Sequence, residues 1–346
     1  MELQYIEKSD VDLYVGNLIN RYQVEGVKKK KGAYDYGPIQ SPEELCLDFD
    51  CTLSPPKRYF LPPSETLLSF SRGTSQDVES QIKDEPFILI GVHPYDLKAI
   101  NQMDKIFSTG VPDPHYLKRR ENAILIGIDP TRVAPRAFWS HMQAATVSNG
   151  FDLMLTDIGE GFTVEVGTEK GKYLLEKYGK FRPATREESK RRSEIRTDTS
   201  NICKKLGLTF PSREIPQLLE RNSDNFFWEE QASKCLGCGT CNLVCPTCYC
   251  FDVWDEMDLD LVHGERRRRW DGCLLEGFAA VATGENFRET RTARYRHRFF
   301  RKGLYLFKIL DDLACVGCGR CSSACLADIA DPVYVLNHLK EEEEEE

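Results

Sequence analysis

The sequence lacks a long apolar run. In 346 residues it has no uncharged apolar stretch of the roughly eighteen residues that a membrane helix needs, so it predicts no transmembrane segment. Its first residues have neither the basic start nor the apolar core of a secretory signal peptide. We therefore expect a cytoplasmic protein. The length is enough for two domains, each of which buries its own core.

Nucleotide-binding fingerprints are missing as well. No G-x-G-x-x-G follows a strand pattern and no G-x4-G-K-[ST] occurs. The nearest imitation, Gly159-Glu160-Gly161, lies between two strands instead of before a helix. The sequence therefore predicts no dinucleotide or nucleotide site, and it leaves open flavin binding without a fingerprint.

An excess of positive charge is also absent. The 55 Asp and Glu outnumber the 46 Lys and Arg, which leaves a net charge of −9. This balance argues against a surface that binds nucleic acid. Six of the acidic residues form the tail 341–346, for which we expect a disordered, solvated end. Docking of a partner is the alternative for this tail.

Residues 1–180 alternate between strand and helix patterns. The strand patterns are short and apolar or alternating, and the helix patterns are amphipathic. The strands are predicted at 87–92, 123–128, 151–155 and 161–167, and the helices at 97–107 and 169–178. This order predicts an α/β domain over 1–180 whose strands are largely buried. A strongly charged helical linker is predicted over 181–222.

Cysteine, by contrast, is abundant, with fourteen residues. A disulfide framework would need an oxidising compartment, for which the sequence has no signal. Eight of the cysteines form two copies of C-x2-C-x2-C-x3-C, the spacing by which bacterial ferredoxins bind cubane iron–sulfur clusters. The first motif is Cys235, Cys238, Cys241 and Cys245, and the second motif is Cys315, Cys318, Cys321 and Cys325.

Iron–sulfur clusters and zinc compete for these eight thiols. Structural zinc usually takes its four ligands from two separated C-x2-C pairs. Three cysteines at two-residue intervals suit the corners of a cube better, so the spacing favours two [4Fe-4S] clusters. The fourth cysteine of each motif is expected to cross over. Cys325 would then complete the first cluster, and Cys245 would complete the second.

The interval between the motifs is long, at about seventy residues, and it shows little strand character. The sequence around each motif has helical patterns. We therefore predict a mostly α-helical, two-cluster ferredoxin domain over 223–340. The predicted fold class is α+β, with the α/β domain first and this helical domain second.

Basic residues crowd the same interval, at 266–269 and from 288 to 302. One interpretation is that they stabilise anionic clusters, because an arginine stays charged and donates several hydrogen bonds. The other is a solvated basic face that docks an acidic partner. A nucleic-acid patch is disfavoured because few aromatic residues interleave with these cations to stack on bases.

Three further cysteines, Cys248, Cys250 and Cys273, lie near the first motif. They are one short of a third cluster, which Cys46, Cys51 or a non-cysteine ligand could complete. Buried structural thiols are the simpler interpretation. No Cys-Cys pair occurs, which counts against the noncubane site of heterodisulfide-reductase catalytic subunits.

These motifs resemble the family of sulfhydrogenase β subunits and the A-type iron–sulfur subunits of anaerobic sulfite reductase. The likeness covers most of the chain from about residue 55. It rests on segments 235–252, 315–321, 269–273, 286–288 and 294–298, and in the first half on 59–65, 113–116 and 150–157. One departure is informative, because relatives often have cysteine at the position of Tyr95 and further cysteines over 129–139. Any group that those cysteines bind in relatives is then lost here.

The resemblance implies an iron–sulfur subunit with two clusters. Such subunits lie between a flavin-containing subunit that oxidises NAD(P)H and a catalytic subunit, such as a nickel–iron hydrogenase or a sirohaem reductase. A heterodisulfide-reductase-type partner is a further alternative. We therefore predict an electron-transfer subunit without substrate chemistry of its own. It would relay electrons between a flavin/NAD(P)H or ferredoxin-linked subunit and a catalytic redox subunit, and its α/β domain over 1–180 would bind the partner subunits. The competing hypotheses are a catalytic reductase subunit with a flavin or substrate site in its first domain, and a structural zinc module.

Overall fold

The computed structural model describes residues 3–72 and 77–345, which form two β-sheets and two groups of helices. The strands are β1 (Leu3–Glu7), β2 (Gln23–Lys30), β3 (Ala33–Pro38), β4 (Ser64–Ser71), β5 (Val78–Ser80), β6 (Phe87–Val92), β7 (Ala123–Ile128), β8 (Leu153–Asp157), β9 (Gly161–Val166), β10 (Arg182–Pro183), β11 (Phe251–Met257) and β12 (His263–Trp270). The helices are α1 (Lys8–Ile19), α2 (Pro94–Ser108), α3 (Pro114–Asn122), α4 (Glu169–Tyr178), α5 (Arg186–Lys204), α6 (Ile215–Arg221), α7 (Phe227–Lys234), α8 (Thr240–Leu243), α9 (Arg291–Phe300), α10 (Phe307–Leu310), α11 (Arg320–Ser323) and α12 (Pro332–Glu345).

The first sheet has eight strands in the order β10-β1-β9-β8-β7-β6-β2-β3. Its centre is parallel, because β2, β6, β7 and β8 pair in one direction, while the strands on either side are antiparallel. Every residue of β6 and β7 is buried. Continuous Ile, Leu and Val runs are typical of strands covered on both faces. The four predicted strands are confirmed as β6, β7, β8 and β9. The predicted helices are confirmed as α2 and α4.

A second apolar core lies mainly in the C-terminal half, where α7 packs against α9, and Phe138 and Met142 of the first half join it. Trp228 is 1% exposed, and its indole contacts the rings of Tyr295, Phe299 and Phe300. The α+β fold class is therefore confirmed. The boundaries at residues 180 and 222 stay predictions. None of the helices in the described part of the chain is long and apolar enough to cross a membrane.

The interval between the cysteine motifs contains a β-hairpin, so the expectation of little strand character there is wrong. Strands β11 and β12 form this hairpin, and β12 also pairs with β4 in a four-stranded sheet of order β11-β12-β4-β5. The strand β12 reads His-Gly-Glu-Arg-Arg-Arg-Arg-Trp and has no apolar alternation. Cross-strand ion pairs take the place of apolar contacts, since Arg266 binds Asp255 and Arg267 binds Glu256.

Arg268 joins this hairpin to the first domain. Its side chain is 3% exposed, and its Nε lies 2.6 Å from a Glu65 oxygen on β4. The same guanidinium binds Asp113, the N-cap of α3, while Arg119 of α3 also binds Glu65. A buried network of this kind depends on each of its members, because a charge left without its partner is strongly destabilising.

The acidic tail is the second correction. Residues 341–345 continue α12 as a helix, whereas a disordered end was predicted; Glu346 lies outside the described residues. Glutamate favours helix, and two glutamates bind residues at and beyond the end of α6. Glu343 accepts hydrogen bonds from Arg221 at 2.8 Å and Asn222 at 2.9 Å, and Glu342 accepts one from Asn225 at 2.8 Å. These contacts hold the tail against the helical domain.

Replacing Arg268 with Met tests the hairpin anchor. We expect the free energy of unfolding to fall by about 3 kcal/mol, because the substitution removes one of the two cations that bind the buried Glu65 and leaves the partly buried Asp113 without its cation. Urea unfolding under anaerobic conditions, followed by tryptophan fluorescence, measures the change. Arg266→Met is the matched control on the same strand, since its ion pair is exposed and its loss should leave the midpoint unchanged. Equal effects of the two substitutions would contradict the proposed anchor.

Candidate metal centres

Three cysteines of the first motif and one of the second line a single cavity. The three are Cys235, Cys238 and Cys241, and the fourth is Cys325. Cys235 follows the last residue of α7, and Cys241 lies in the short helix α8, so a tight loop places the thiols around one space. We call this space the first cavity.

A second cavity repeats the arrangement with the motifs exchanged. Cys315, Cys318 and Cys321 of the second motif line it together with Cys245 of the first motif. Helix α11 carries Cys321, as α8 carries the corresponding cysteine of the first motif. The structure thus brings the eight cysteines together in the crossed grouping that the spacing suggested. Ligation by these thiols stays a prediction.

The thiols surround space instead of meeting at one point. Within residues 3–72 and 77–345, no three His, Cys, Asp or Glu side chains converge closely enough to hold a single metal ion. Thiolates that bind a cubane lie around its corners, which is the arrangement that lines both cavities.

Burial makes several of these thiols hard to ionise. It raises the pKa of Cys241 to about 12 and that of Cys315 to about 12, with nearby cysteines adding to the effect. A thiol in such surroundings keeps its proton at neutral pH unless a bound metal replaces it. Metal binding at these cavities would therefore release protons and would become more favourable as the pH rises.

Arg298 lines both cavities. Its positive charge is the feature that most favours binding of an anionic group there. It is 5% exposed, and in the part of the chain that the structure describes it has neither a hydrogen-bond partner nor a carboxylate within 4 Å. Burying a guanidinium without an anion costs several kcal/mol, on the order of the desolvation penalty of one ion. Clusters held by thiolates carry the negative charge that would offset this cost, so the residues present fit [4Fe-4S] clusters.

The other basic residues divide between the two interpretations. Of the two basic runs, Arg298 and Lys302 line a cavity. The arginines of β12 pair with carboxylates, Arg294 donates to the Glu289 carbonyl and Arg301 to the Tyr249 hydroxyl. Neither a cluster-stabilising role nor a free basic face therefore describes the whole set.

The three further cysteines line neither cavity. The Asn242 amide donates to Cys273 Sγ at 3.4 Å and to Cys248 Sγ at 3.7 Å, which satisfies both thiols within the protein. Cys250, the third of them, is partly exposed. These contacts agree with the simpler interpretation of structural thiols, which stays a prediction, and the third cluster stays its untested alternative.

Lys57 lies beside the same cysteines and was not singled out from the sequence. Its Nζ donates to the Cys248 carbonyl at 2.8 Å and lies 4.2 Å from the centre of the Trp270 ring. Burial lowers the pKa of Lys57 to about 8, and the thiols of Cys248 and Cys245 oppose this shift. A lysine in a Pro-rich, irregular stretch has no periodic pattern that would point to a buried role.

The first domain covers the second cavity. The Phe138 N–H donates to the Gly317 carbonyl at 2.8 Å, and Arg320 of α11 binds both carboxylate oxygens of Asp96 at 2.7 Å. Arg320 also donates to the Thr52 carbonyl at 2.8 Å. The Tyr95 side chain, at the position where the family resemblance departs, is fully buried beside this contact.

Among the described residues, those that line the first cavity all lie between 235 and 330, so the first domain contributes none of them. Cys238 is exposed, whereas its counterpart Cys318 is buried. A Cβ added at Gly237 would meet no atom within 4 Å, but one added at Gly317 would lie 2.6 Å from the Trp139 nitrogen. The first and second cysteine motifs therefore differ more in their surroundings than in their sequences.

Comparisons with known proteins agree with this site. Residues 234–329 match a family described as a 4Fe-4S dicluster domain. The chain is 32% identical to the sulfhydrogenase 2 subunit beta of Pyrococcus furiosus over 320 residues, which covers 92% of each chain. It is also 32% identical, over 97 residues, to the F420-dependent formate dehydrogenase 1 subunit beta of Methanococcus maripaludis, of which it spans 24%.

The pair Gly317→Ala and Gly237→Ala tests the contact between the domains. Both glycines have a φ of 68°, so both substitutions carry the same left-handed backbone strain of about 1 kcal/mol. Only Gly317→Ala places a methyl group against Trp139, and this should lower the free energy of unfolding by a further 1–3 kcal/mol or so. Thermal unfolding under anaerobic conditions measures the difference. Equal melting temperatures for the two variants would show that the two domains do not pack as described.

Proposed function

The chain belongs to the family of sulfhydrogenase β subunits, and on that premise we propose that it carries two [4Fe-4S] clusters and transfers electrons within a multi-subunit oxidoreductase. The observation that supports this most is the pair of cavities, each lined by four cysteines and both lined by Arg298. Bound clusters of this kind accept and release single electrons. The chain's own residues bind them, screen them from water and offset their charge.

Each cluster takes its ligands from both motifs in this proposal. Cys235, Cys238, Cys241 and Cys325 hold the first cluster, and Cys245, Cys315, Cys318 and Cys321 hold the second. The crossing shares ligands between segments about seventy residues apart, so that binding of metal stabilises the fold of the whole second domain.

The proposed partners are a flavin-containing oxidoreductase subunit on one side and a catalytic subunit on the other. The catalytic subunit is of the hydrogenase, sulfite reductase or heterodisulfide reductase type. Both relatives are named as beta subunits, one of a sulfhydrogenase and one of a formate dehydrogenase, which supports a place in a larger complex. We place this complex in the cytoplasm.

The alternative of a catalytic subunit with its own flavin or substrate site has less support. Ligands of open α/β sheets bind at the carboxyl ends of the parallel strands. At the end of β6, the chain enters α2, whose Asp96 is 1% exposed and bound to Arg320. The second motif thus occupies the carboxyl end of β6, which leaves less room there for a ligand.

Metal content is the direct test. Anaerobically purified protein should hold about eight iron atoms and about eight acid-labile sulfides per chain, four of each for every [4Fe-4S] cluster. About twelve of each would indicate a third cluster at Cys248, Cys250 and Cys273. Stoichiometric zinc without sulfide would overturn the proposal. Flavin that stays bound to the isolated chain would favour the catalytic alternative.

Double substitutions test the crossed ligation. If the ligands cross, C238S/C325S removes one cluster and leaves about four iron atoms, because both residues serve the same cluster. C238S/C245S then removes both clusters. Uncrossed ligation predicts the reverse, with both clusters lost in the first variant and one in the second. Iron and sulfide analysis of the two proteins separates these outcomes.

A further inference from the structure

The two cavities differ in the cations that face them. Arg298 lines both, whereas Lys302 lines the second cavity alone. Lys302 belongs to a π-helical turn, Arg301–Tyr305, which directly follows α9. The extra residue in such a turn shifts the side chains that follow it, and π-helical turns occur often at functional sites.

Lys302 is held beside Cys245 by oxygen atoms that carry no formal charge. Its Nζ donates to the Thr247 carbonyl at 2.9 Å and to the Thr247 hydroxyl at 2.8 Å. That hydroxyl lies 3.3 Å from Cys245 Sγ. In the described residues no carboxylate lies within 4 Å of the Lys302 ammonium. No carboxylate of the described residues therefore cancels this positive charge.

Lys57 adds a second such charge on the same side. It is 3% exposed, and its hydrogen bond to the Cys248 carbonyl places it next to the loop that carries Cys245. Its other close contact is the ring of Trp270, which carries no formal charge. Lys57 likewise has no carboxylate within 4 Å among residues 3–72 and 77–345.

Arg320, a buried cation in the motif that lines the second cavity, does not act in this way. Arg320 binds both oxygens of Asp96 at 2.7 Å, so this ion pair has no net charge. Its field at the cavity is that of a dipole and falls off faster than that of an isolated ammonium. At the first cavity, the motif position that corresponds to Arg320 is Thr240, which has no charge.

We propose that Lys302, assisted by Lys57, selectively raises the reduction potential of the second cluster and so sets the difference in potential between the two. This inference rests on the proposed function. Reduction adds one negative charge to a buried group, and an uncompensated cation nearby stabilises the reduced form through a medium of low dielectric constant. Arg298 acts on both clusters and leaves their difference largely unchanged.

Potentiometry on the full-length chain tests this. The probe is the reconstituted protein, titrated anaerobically with dithionite while the reduced clusters are followed by electron paramagnetic resonance. Lys302→Met keeps the length of the side chain and removes its charge. We expect one of the two reduction steps to shift to a more negative potential and the other to stay in place. Lys302→Arg keeps the charge, so both reduction steps should stay at the potentials of the native protein.

Two further variants complete the design. Lys308→Met removes an exposed cation six residues further along the chain and should shift neither step, because solvent screens its charge. Lys57→Met should shift the same step as Lys302→Met in the same direction by a smaller amount. If Lys302→Met does not retain its clusters, Lys57→Met tests the inference in its place.

The outcomes separate this inference from the proposed function. A native chain without iron and sulfide overturns the proposed function. A chain with about eight iron atoms whose two steps move together, or do not move at all, in Lys302→Met overturns only the role of the lysine. To identify the cluster that responds, the substitution is repeated in C238S, which is expected to keep the second cluster, and in C318S, which is expected to keep the first. A shift in C318S instead of C238S also contradicts the inference.

Discussion

The cost of burying charge shapes the second domain. Thiolates are anionic, as the proposed clusters would be, and most of the cysteines that line the cavities are buried or only partly exposed. Arg298 lines both cavities and has neither a side-chain hydrogen-bond partner nor a carboxylate within 4 Å among the described residues, so its charge faces both halves of the site. The aromatic core around Trp228 orients α9, which carries this arginine, and the π-helical turn beyond α9 carries Lys302. Helix α9 is thus positioned by aromatic packing and carries the cation that lines both cavities.

The same constraint explains why the two domains are interleaved. The α/β domain supplies groups that the cluster motifs lack, namely Asp96 for Arg320 and the buried ammonium of Lys57. The helical domain in turn contributes β12 to a sheet with β4, and Arg268 binds acidic residues of the first domain. Contacts in both directions make the second cavity an interior site. The first cavity stays near the surface, where Cys238 is exposed.

Local patterns predicted much of this architecture. The spacing of cysteines was enough to predict two groups of four. The apolar runs predicted three of the four parallel strands, β6, β7 and β8, but not β2. The hairpin was missed because β12 is stabilised by pairs of charges, and a charged strand has no apolar alternation. The roles of Lys57, Asn242 and the Arg320–Asp96 pair depend on residues far apart in the chain, and no local pattern reports such contacts. The tail was misjudged because Arg221 and Asn222, which bind it, come more than a hundred residues earlier.

The crossed lining of the cavities also orders events during synthesis of the chain. The first cavity needs Cys325, and the second combines Cys245 with three residues that begin at Cys315. Neither cavity is closed until the ribosome has passed the second motif, although the central parallel strands of the first sheet are complete by residue 157. A nascent chain can therefore form its α/β domain while the thiols of both motifs are still accessible to the machinery that delivers iron and sulfide. Insertion of the proposed clusters would then be a late step, and the chain that receives them would already contain the domain that covers the second cavity.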